Sequence, residues 1–352
     1  MQVINGENLI QCLFDKGFAT PDSVVNSEVK IIPVSSRNRN FKISFANKSG
    51  YLVKQINATD EEKMFSLQQE ATIFWLVKND PLYISLSPFV PAFHDFDAAD
   101  HLLVIELIEN SSDLVAYYKS NNRIDGAVFE RLSEAFASTH SISAQQISKS
   151  ESAVFFSGKI PWIFFIGPGY NLPTKNNIDV QIMNLVRSNK EFIFHIEQLK
   201  NEWDPQCLIH GDVKWANILV TDHNEIKIID WEIADTGDPA WDIAGIFQSV
   251  LNSWYFSSNG LKNPNEQFLG AERVSLQSFW DSYCEKMNYS GDDRKKRLQK
   301  AVSYTALRVI QTCIESTYKA KGLYDNTARY LQLSHNILRY RDEAQTELFG
   351  IE

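Results

Sequence analysis

The sequence predicts an α+β fold of two lobes, in which a small antiparallel sheet with one main helix precedes a larger, mainly helical lobe. Short runs of branched and aromatic residues, separated by turn-forming residues, occur early in the chain, whereas helical spacing of apolar residues dominates later. We place the boundary after Ile108, which gives a first lobe of residues 1–108 and a second of residues 109–352. A chain of this length can build a core in each lobe.

Three strand-like runs open the first lobe, at Val29 to Pro33, Phe41 to Phe45 and Tyr51 to Gln55. Turn-forming stretches at residues 35–40 and 46–50 separate these runs. The pattern therefore indicates a small antiparallel meander.

The remainder of the first lobe predicts one helix and two further strands. Apolar residues recur at helical spacing from Thr59 to Val77, after an acidic start. The runs from Phe89 to Phe93 and from His101 to Leu107 are typical of strands. Together with the meander they predict a sheet of about five strands.

The second lobe is predicted to be mainly helical, with a few short strands near its middle. Helical spacing covers residues 112–120, 126–141 and 176–203, and nearly all of the chain after Asp242. Short apolar runs predict strands at residues 207–209, 218–220 and 226–229, of which the last two form a hairpin.

Composition excludes several classes of protein. The net charge of −10 argues against a nucleic-acid partner, because binding to a phosphate backbone needs clustered lysines and arginines. The cysteines are far apart, which indicates neither a zinc site nor a disulfide framework; they are Cys12, Cys207, Cys284 and Cys313. The start of the chain has no signal-peptide pattern, and the apolar stretch from Ile160 to Gly167 is too short to span a bilayer. We expect a cytoplasmic protein with no membrane partner.

The candidate chemistry lies on the loop between the first two of these short strands. Asp212 precedes Asn217 by five positions, and Asp230 directly follows the strand predicted at residues 226–229. Phosphoryl transfer requires a carboxylate that orients the attacking hydroxyl and hard oxygen ligands for magnesium beside the triphosphate. The spacing therefore predicts a phosphotransferase site.

Three motifs in this region resemble those of the aminoglycoside phosphotransferase and choline kinase superfamily. They are His-Gly-Asp followed four residues later by Asn, Ile-Asp-Trp-Glu at Ile229, and the stretch Gly237 to Ala244. The strong part of the resemblance covers residues 205–245, and the order of elements extends it over residues 25–345. It implies a bilobal protein-kinase-like fold that uses ATP and Mg²⁺. It also implies transfer of the γ-phosphate to a hydroxyl of a small molecule, such as an aminoglycoside, an amino alcohol or a sugar metabolite.

The resemblance also implies roles for single residues. Asp212 is the expected catalytic base, Asn217 and Asp230 are the expected magnesium ligands, and His210 is expected to be a packed, hydrogen-bonded scaffold of the catalytic loop. Apart from the resemblance, the stretch Gly237 to Pro239 before a helical run makes Asp242 a candidate helix N-terminal residue. Asp242 is expected to support structure by accepting backbone N–H groups, either from its own helix or from the catalytic loop.

On the nucleotide side, Lys54 is the expected contact of the α- and β-phosphates and Glu70 its expected ion-pair partner, with Glu61 and Glu62 as alternatives. The first turn of the sheet contains no glycine, so hydroxyls and backbone amides are expected to replace a glycine-rich phosphate loop. The candidates are Ser35 and Ser36, with Arg37 or Arg39 assisting. Adenine is expected against the backbone of Glu106 and Ile108.

The acceptor site is less well marked. Carboxylates and aromatic faces of the helical lobe suit a cationic acceptor; the candidate residues are Glu232, Trp215, Asp281 and Glu315. For each aromatic residue, core packing is the competing interpretation. The stretch from Phe155 to Tyr170 reads either as a lid or as a buried turn.

Three other functions stay open at this stage. A protein kinase is disfavoured by the absent glycine loop and by Gly211, which stands where protein kinases carry an arginine. An inactive binding module is disfavoured by the intact base and metal positions. A nuclease or metal-dependent hydrolase would not explain Lys54 and Glu70. The sequence also leaves open whether the phosphate donor is ATP or GTP, and whether the protein is a monomer or a homodimer.

Overall fold

The computed structural model describes residues 3–6, 8–25, 29–34, 39–46, 48–56, 60–170, 172, 176–257, 266–316 and 325–351. The chain forms two compact units, each of which combines two segments. The first unit is Met1–Asp113 with Ile218–Ala234, and the second is Leu114–Asn217 with Asp235–Glu352. Each unit is defined by its compactness and joins two separate segments, so the units do not test a single boundary along the chain. The lobe boundary after residue 108 therefore stays a prediction.

The first unit contains the predicted five-stranded antiparallel sheet, in the order β1-β2-β3-β5-β4. Its strands are β1 Val29–Pro33, β2 Arg39–Phe45, β3 Tyr51–Gln55, β4 Phe93–Asp97 and β5 Leu102–Glu106. The prediction of β4 at Phe89 to Phe93 was wrong. A 3₁₀ helix spans Pro81–Phe89 instead, because Pro81 starts it and the Asp80 carboxylate caps it by accepting the Leu82 N–H at 2.9 Å.

One long helix, α3 (Glu61–Asn79), accompanies this sheet, as the sequence predicts. The Asp60 carboxylate accepts the Lys63 N–H at 3.2 Å and so satisfies one free donor of the first turn. Two short helices that the sequence analysis missed, α1 (Leu9–Asp15) and α2 (Pro21–Val25), precede the sheet. Apolar side chains of α1 pack on the sheet.

A second, three-stranded antiparallel sheet in the first unit has the order β6-β8-β9. Its strands are β6 Ser111–Asp113, β8 Ile218–Thr221 and β9 Ile226–Ile228. The predicted hairpin is thus confirmed, and Asp230 lies just beyond its second strand. Behind Asp230, the buried Trp231 indole donates to the Ile228 carbonyl at 3.0 Å, which fixes the end of the hairpin.

The second unit is mainly helical, and a two-stranded antiparallel ribbon pairs β7 (Cys207–Ile209) with β10 (Asp235–Gly237). Its helices are α4 Leu114–Asn121, α5 Gly126–His140, α6 Ala144–Ser148, α7 Asn177–Ser188, α8 Lys190–Asn201, α9 Pro239–Ser257, α10 Glu266–Lys286, α11 Gly291–Glu315, α12 Asp325–Arg339 and α13 Arg341–Glu343. Short 3₁₀ turns span Glu151–Phe155, Trp162–Phe165 and Trp215–Asn217, and a π turn spans Ala344–Leu348.

The predicted single helix over residues 176–203 was wrong, since α7 and α8 meet at Asn189. The backbone of Asn189 is extended, and its side chain accepts the N–H groups of Glu191 at 3.0 Å and Phe192 at 3.1 Å. An asparagine that caps a new helix competes with continuation of the preceding one. The periodicity of apolar residues alone did not reveal this break.

Aromatic packing shows the role of Phe164 within the stretch from Phe155 to Tyr170. Phe164 is fully buried, and its ring contacts the rings of Trp203, Trp241 and Tyr304 at centroid distances of 5.4 to 5.6 Å. This part of the stretch is therefore a buried turn of the core. Within the described part of the chain, no helix has the length and apolar character needed to cross a bilayer.

Candidate active site

The loop of residues 210–217, called the catalytic loop after its predicted role, follows β7 and is held at its start by Asp242. This carboxylate, fully buried in the first turn of α9, accepts the His210 N–H at 2.7 Å and the Gly211 N–H at 3.0 Å. Burial by itself would raise the pKa of Asp242, but the hydrogen-bonding contact with His140 and the nearby His210 lower it below its usual value. Asp242 therefore supports the loop as an anion, which is one of the two expectations for it.

Two side chains distant in sequence hold the carbonyl groups of the same loop. The Trp241 indole donates to the Gly211 carbonyl at 2.7 Å, and Arg308 of α11 donates to the Val213 carbonyl at 2.5 Å. The Arg308 guanidinium also lies 4.9 Å from the Trp241 ring centroid. With Asp242 on the N–H groups, both kinds of backbone group in the loop have fixed partners.

Close packing of helix α9 against the loop adds a steric constraint. A Cβ atom at Gly245 would lie 2.5 Å from the Val213 carbonyl oxygen and 2.7 Å from the Val213 Cβ. Glycine is therefore required at this position if α9 is to approach the loop this closely. Gly211, within the loop, has a φ of 84°, a conformation that also favours glycine.

The structure brings Asp212, Asn217 and His210 together. His210 is fully buried and its Nδ1 accepts the Asp212 N–H at 3.2 Å, which is the placement of a loop scaffold. The Asn217 amide donates to the Asp212 carbonyl at 3.0 Å and lies 3.4 Å from its carboxylate. These contacts fix the side chain of Asn217 through its nitrogen.

Lys214, which the sequence analysis did not single out, forms an ion pair with the carboxylate of Asp212, the candidate base. Its Nζ is 2.5 Å from the Asp212 Oδ2. The ammonium is 46% exposed and the Asp212 carboxylate 20% exposed, so the pair is accessible to a ligand. Lys214 lies two residues after Asp212 in a loop, where no periodic pattern marks a contact, so the sequence could not identify this pair.

The first unit contains a second polar cluster, built from β3, α3 and the end of the hairpin. Lys54 Nζ lies 2.7 and 2.8 Å from the Glu70 carboxylate oxygens and 3.2 Å from Asp230 Oδ1. Burial alone would lower the pKa of Lys54, but the carboxylates of Glu70 and Asp230 outweigh burial and raise it. Glu70 is thus the partner of Lys54, while Glu61 and Glu62 are exposed in the first turn of α3.

Asp230 itself adopts a backbone conformation that is uncommon outside glycine, with a φ of 69°. Its side chain is 35% exposed, in contrast to the 3% of Glu70. A partly exposed carboxylate held by a largely buried lysine can accept a further cation, whereas Glu70 is enclosed by the protein.

The segment expected to read adenine runs from Glu106 to Ile108. The Glu106 N–H donates to the Ala92 carbonyl at 2.9 Å, and the Ile108 carbonyl accepts the Ser111 hydroxyl at 2.7 Å. The backbone here is therefore fixed by its neighbours in the first unit. Ser35, Ser36 and Arg37, predicted on the phosphate side, lie outside the described residues.

The predicted acceptor residues occupy separate environments. Trp215 is 2% exposed and its ring lies 5.4 Å from the Tyr118 ring, so it packs in the core. Asp281 forms an ion pair with Arg294, and the exposed Glu315 accepts a hydrogen bond from Gln311 at 2.8 Å. Glu232 belongs to the first unit and is half-buried.

Glu272, on α10, is a candidate that sequence patterns missed. It is 2% exposed, and its Oε2 has no hydrogen-bond partner among the described residues. Burial raises the pKa of Glu272 to about 7. Burial raises the pKa of Tyr118, and the charge of Glu272 raises it further. Glu272 therefore lies near Tyr118, whose ring contacts that of Trp215.

Known proteins are similar to this chain in sequence pattern and in fold. The model of the phosphotransferase enzyme family matches residues 28–281. None of the curated proteins matches the chain.

Three solved structures illustrate the likeness in fold. An ethanolamine kinase of Plasmodium vivax has a TM-score of 0.62 at 16% identity, over 96% of this chain and 91% of that chain. A choline kinase of Cryptosporidium parvum has a TM-score of 0.57 at 14% identity, over 98% and 97%. A streptomycin–ATP–APH(2'')-IIa ternary complex has a TM-score of 0.52 at 16% identity, over 96% and 99%. The predicted α+β, protein-kinase-like fold is thereby confirmed.

Proposed function

Because this chain belongs to the phosphotransferase enzyme family, we propose that it transfers the γ-phosphate of ATP to a hydroxyl group of a small molecule, with Mg²⁺ as cofactor and Asp212 as catalytic base. The observation that carries the proposal is the structure of the loop. The Asn217 amide donates to the Asp212 carbonyl at 3.0 Å, and Asp242 holds the start of the loop by accepting the His210 N–H. Such a loop holds a carboxylate and a carboxamide in fixed positions, as phosphoryl transfer requires.

Asn217 and Asp230 are the proposed ligands of magnesium. Their donor chemistry fits, because Mg²⁺ prefers oxygen ligands and binds through only one or two protein groups together with phosphates and water. The partial exposure of the Asp230 carboxylate leaves it accessible to an ion. Consistent with few protein ligands, the described residues contain no group of three His, Cys, Asp or Glu that could hold a metal. When bound, the ion would supply positive charge to the triphosphate.

The first unit would hold the nucleotide. The ammonium of Lys54, kept protonated by its two carboxylate neighbours, would contact the α- and β-phosphates, and Glu70 would keep it in position. The backbone of Glu106 and Ile108 would read the adenine edge. Ser35 and Ser36 remain the proposed phosphate-loop contacts.

The second unit would carry out the transfer. The acceptor hydroxyl attacks the γ-phosphorus, its proton passes to the Asp212 carboxylate, a new oxygen–phosphorus bond forms, and the bond to the β-phosphate oxygen breaks to release ADP. The Lys214 ammonium next to Asp212 would stabilise the charge of the phosphoryl group during transfer. His210 and Asp242 keep the loop in place and take no proton in this scheme.

A cationic acceptor is the proposed substrate class. The Oε2 atom of Glu272 lacks a hydrogen-bond partner among the described residues and lies near Tyr118 and the Trp215 turn, so an ammonium group would satisfy it. Ethanolamine, choline and streptomycin, named for the similar proteins, are all cationic amino compounds. Glu232, Asp281 and Glu315 remain further candidates for contacts with the acceptor, whereas Trp215 packs in the core beside Tyr118.

The test is transfer of label from γ-labelled ATP, with magnesium, to a panel of paired cationic and neutral alcohols that includes amino alcohols, aminoglycosides and sugars. Labelled product from the cationic members, lost in Asp212→Ala, would support the proposal. Label released only to water would indicate a hydrolase, label on protein a protein kinase, and absence of ATP binding an inactive module.

A further inference from the structure

We propose that the second unit carries a binding site for a small oxyanion, in a cavity of about 150 Å³ formed by α9, α10 and α11. None of the residues assigned above to the nucleotide, the metal or the acceptor lines this cavity. Its lining includes the possible donors Trp280, Tyr289, Lys296, Arg297 and Lys300, together with Gln206, Tyr283 and the carboxylates Asp238 and Asp293. A cavity of roughly this size holds a molecule as large as a six-carbon ring, so phosphate or a phosphomonoester group fits.

Hydrogen-bond donors without acceptors are the first argument. The Trp280 indole N–H is fully buried and has no acceptor among the described residues. Arg297 uses its Nε for Asp293 at 2.9 Å and its Nη1 for Gln206 at 2.9 Å, while no described residue accepts from its Nη2. A buried donor such as the Trp280 N–H is normally paired, and the Arg297 Nη2 belongs to a side chain that is 25% exposed, so both groups can donate to a ligand rich in acceptor atoms.

Charge is the second argument. The two carboxylates of the cavity are already neutralised, Asp238 by an ion pair with Lys300 and Asp293 by Arg297 at 2.9 Å. Lys296, an exposed residue of the lining, has no ion-pair or hydrogen-bond partner in the described part of the chain, so the lining keeps one uncompensated positive charge. This local excess stands out in a chain whose net charge is −10.

Geometry supports a planar or tetrahedral anion in particular. The Arg297 guanidinium stacks over the Tyr289 ring at 4.0 Å from its centroid and is bonded on two sides, so its remaining edge is presented in a fixed orientation. A preorganised guanidinium with a nearby ammonium is a common way to bind phosphate oxygens.

The experiment measures binding of inorganic phosphate, and separately of glycerol phosphate, to the full chain by calorimetry without nucleotide. We expect saturable binding at one site in the millimolar range, as for a small ligand with few contacts. Lys296→Ala and Trp280→Phe should each weaken binding about ten-fold, since each removes one donor to the anion. Lys295→Ala, at the neighbouring exposed lysine outside the lining, should leave it within about two-fold of wild type.

Lys54→Met separates this site from the proposed nucleotide site, and it should leave phosphate binding unchanged. Thermal unfolding of each variant establishes that it is folded. Two results would overturn the proposal. One is absence of saturable binding by either probe, which would mean that water fills the cavity. The other is binding that Lys54→Met abolishes and Lys296→Ala retains, which would place the anion at the nucleotide site.

Discussion

The carboxylate of Asp242 accepts the backbone N–H of His210 at 2.7 Å, and this contact links the first turn of α9 to the start of the catalytic loop. The same carboxylate accepts the Gly211 N–H and lies 3.3 Å from His140 Nε2. One buried anion thus connects the loop to α5 as well as to α9.

Asp242→Asn should lower both stability and turnover, because the amide keeps the shape but removes the charge from hydrogen bonds that are buried. A loss of about 3 kcal/mol in the free energy of unfolding is expected at neutral pH, measured by urea denaturation. Since the pKa of Asp242 is lowered in the folded state, its contribution is present above the ordinary carboxyl pKa and is lost as pH falls through the folded-state value. The difference from wild type should therefore shrink below about pH 4. Asp222→Asn, in an exposed hairpin turn, is the matched control, and an equal loss there would contradict this account.

Glu70→Gln should raise the KM for ATP by about ten-fold or more, since it removes the anion that positions Lys54 for the phosphates. Steady-state kinetics with varied ATP measures this effect. Glu61→Gln lies in the exposed first turn of the same helix and should behave like wild type. Equal kinetics of the two variants would show that the buried ion pair at 2.7 Å does not serve the nucleotide.

Gly245→Ala should displace the catalytic loop, because its Cβ would lie 2.5 Å from the Val213 carbonyl oxygen. We expect a loss of about 1–3 kcal/mol in stability and a lower kcat, as the shift of Val213 moves the adjacent Asp212. Gly126→Ala, at an exposed position with open space around it, should cost nothing. A Gly245→Ala enzyme with wild-type kcat would mean that the loop tolerates movement.

Glu272→Gln should stabilise the protein at alkaline pH. The pKa of Glu272 is raised to about 7 in the folded state. Between the ordinary carboxyl pKa and pH 7, the folded state therefore keeps a proton that the unfolded state releases. The stability of the wild type falls as pH rises through this range. The variant escapes this penalty, by up to about 3 kcal/mol at pH 8. Unfolding free energies from pH 5 to 8 test the claim. A difference that does not change with pH would contradict it. The same variant should bind a cationic acceptor more weakly.

The sequence predicted the parts of the molecule that depend on local pattern. The hairpin that ends near Asp230 follows from alternating apolar runs and turn residues. The pairing of Lys54 with Glu70 was instead implied by the resemblance to the kinase superfamily, which places such a lysine on a strand and its partner on the helix that follows. The helix break at Asn189 was missed because capping competes locally with a periodic apolar face.

Contacts between distant segments could not be predicted in the same way. Arg308 reaches the carbonyl of Val213 from 95 positions away, and His140 reaches Asp242 across 102 positions. Glu272 shows no distinguishing pattern on its helix, since only packing determines that its carboxyl is buried. For the same reason the sequence could not show that Trp215 is buried or that Asp281 pairs with Arg294, since both depend on how helices pack.

The most direct test of the central claim is single-turnover phosphoryl transfer by Asp212→Asn, with the binding of Mg·ATP measured in parallel. Our account predicts that transfer falls by about 10²–10⁴-fold, since general base catalysis contributes that much, while the Kd for the nucleotide changes only a few-fold. Near-normal transfer by this variant would contradict the assignment of Asp212 as the base.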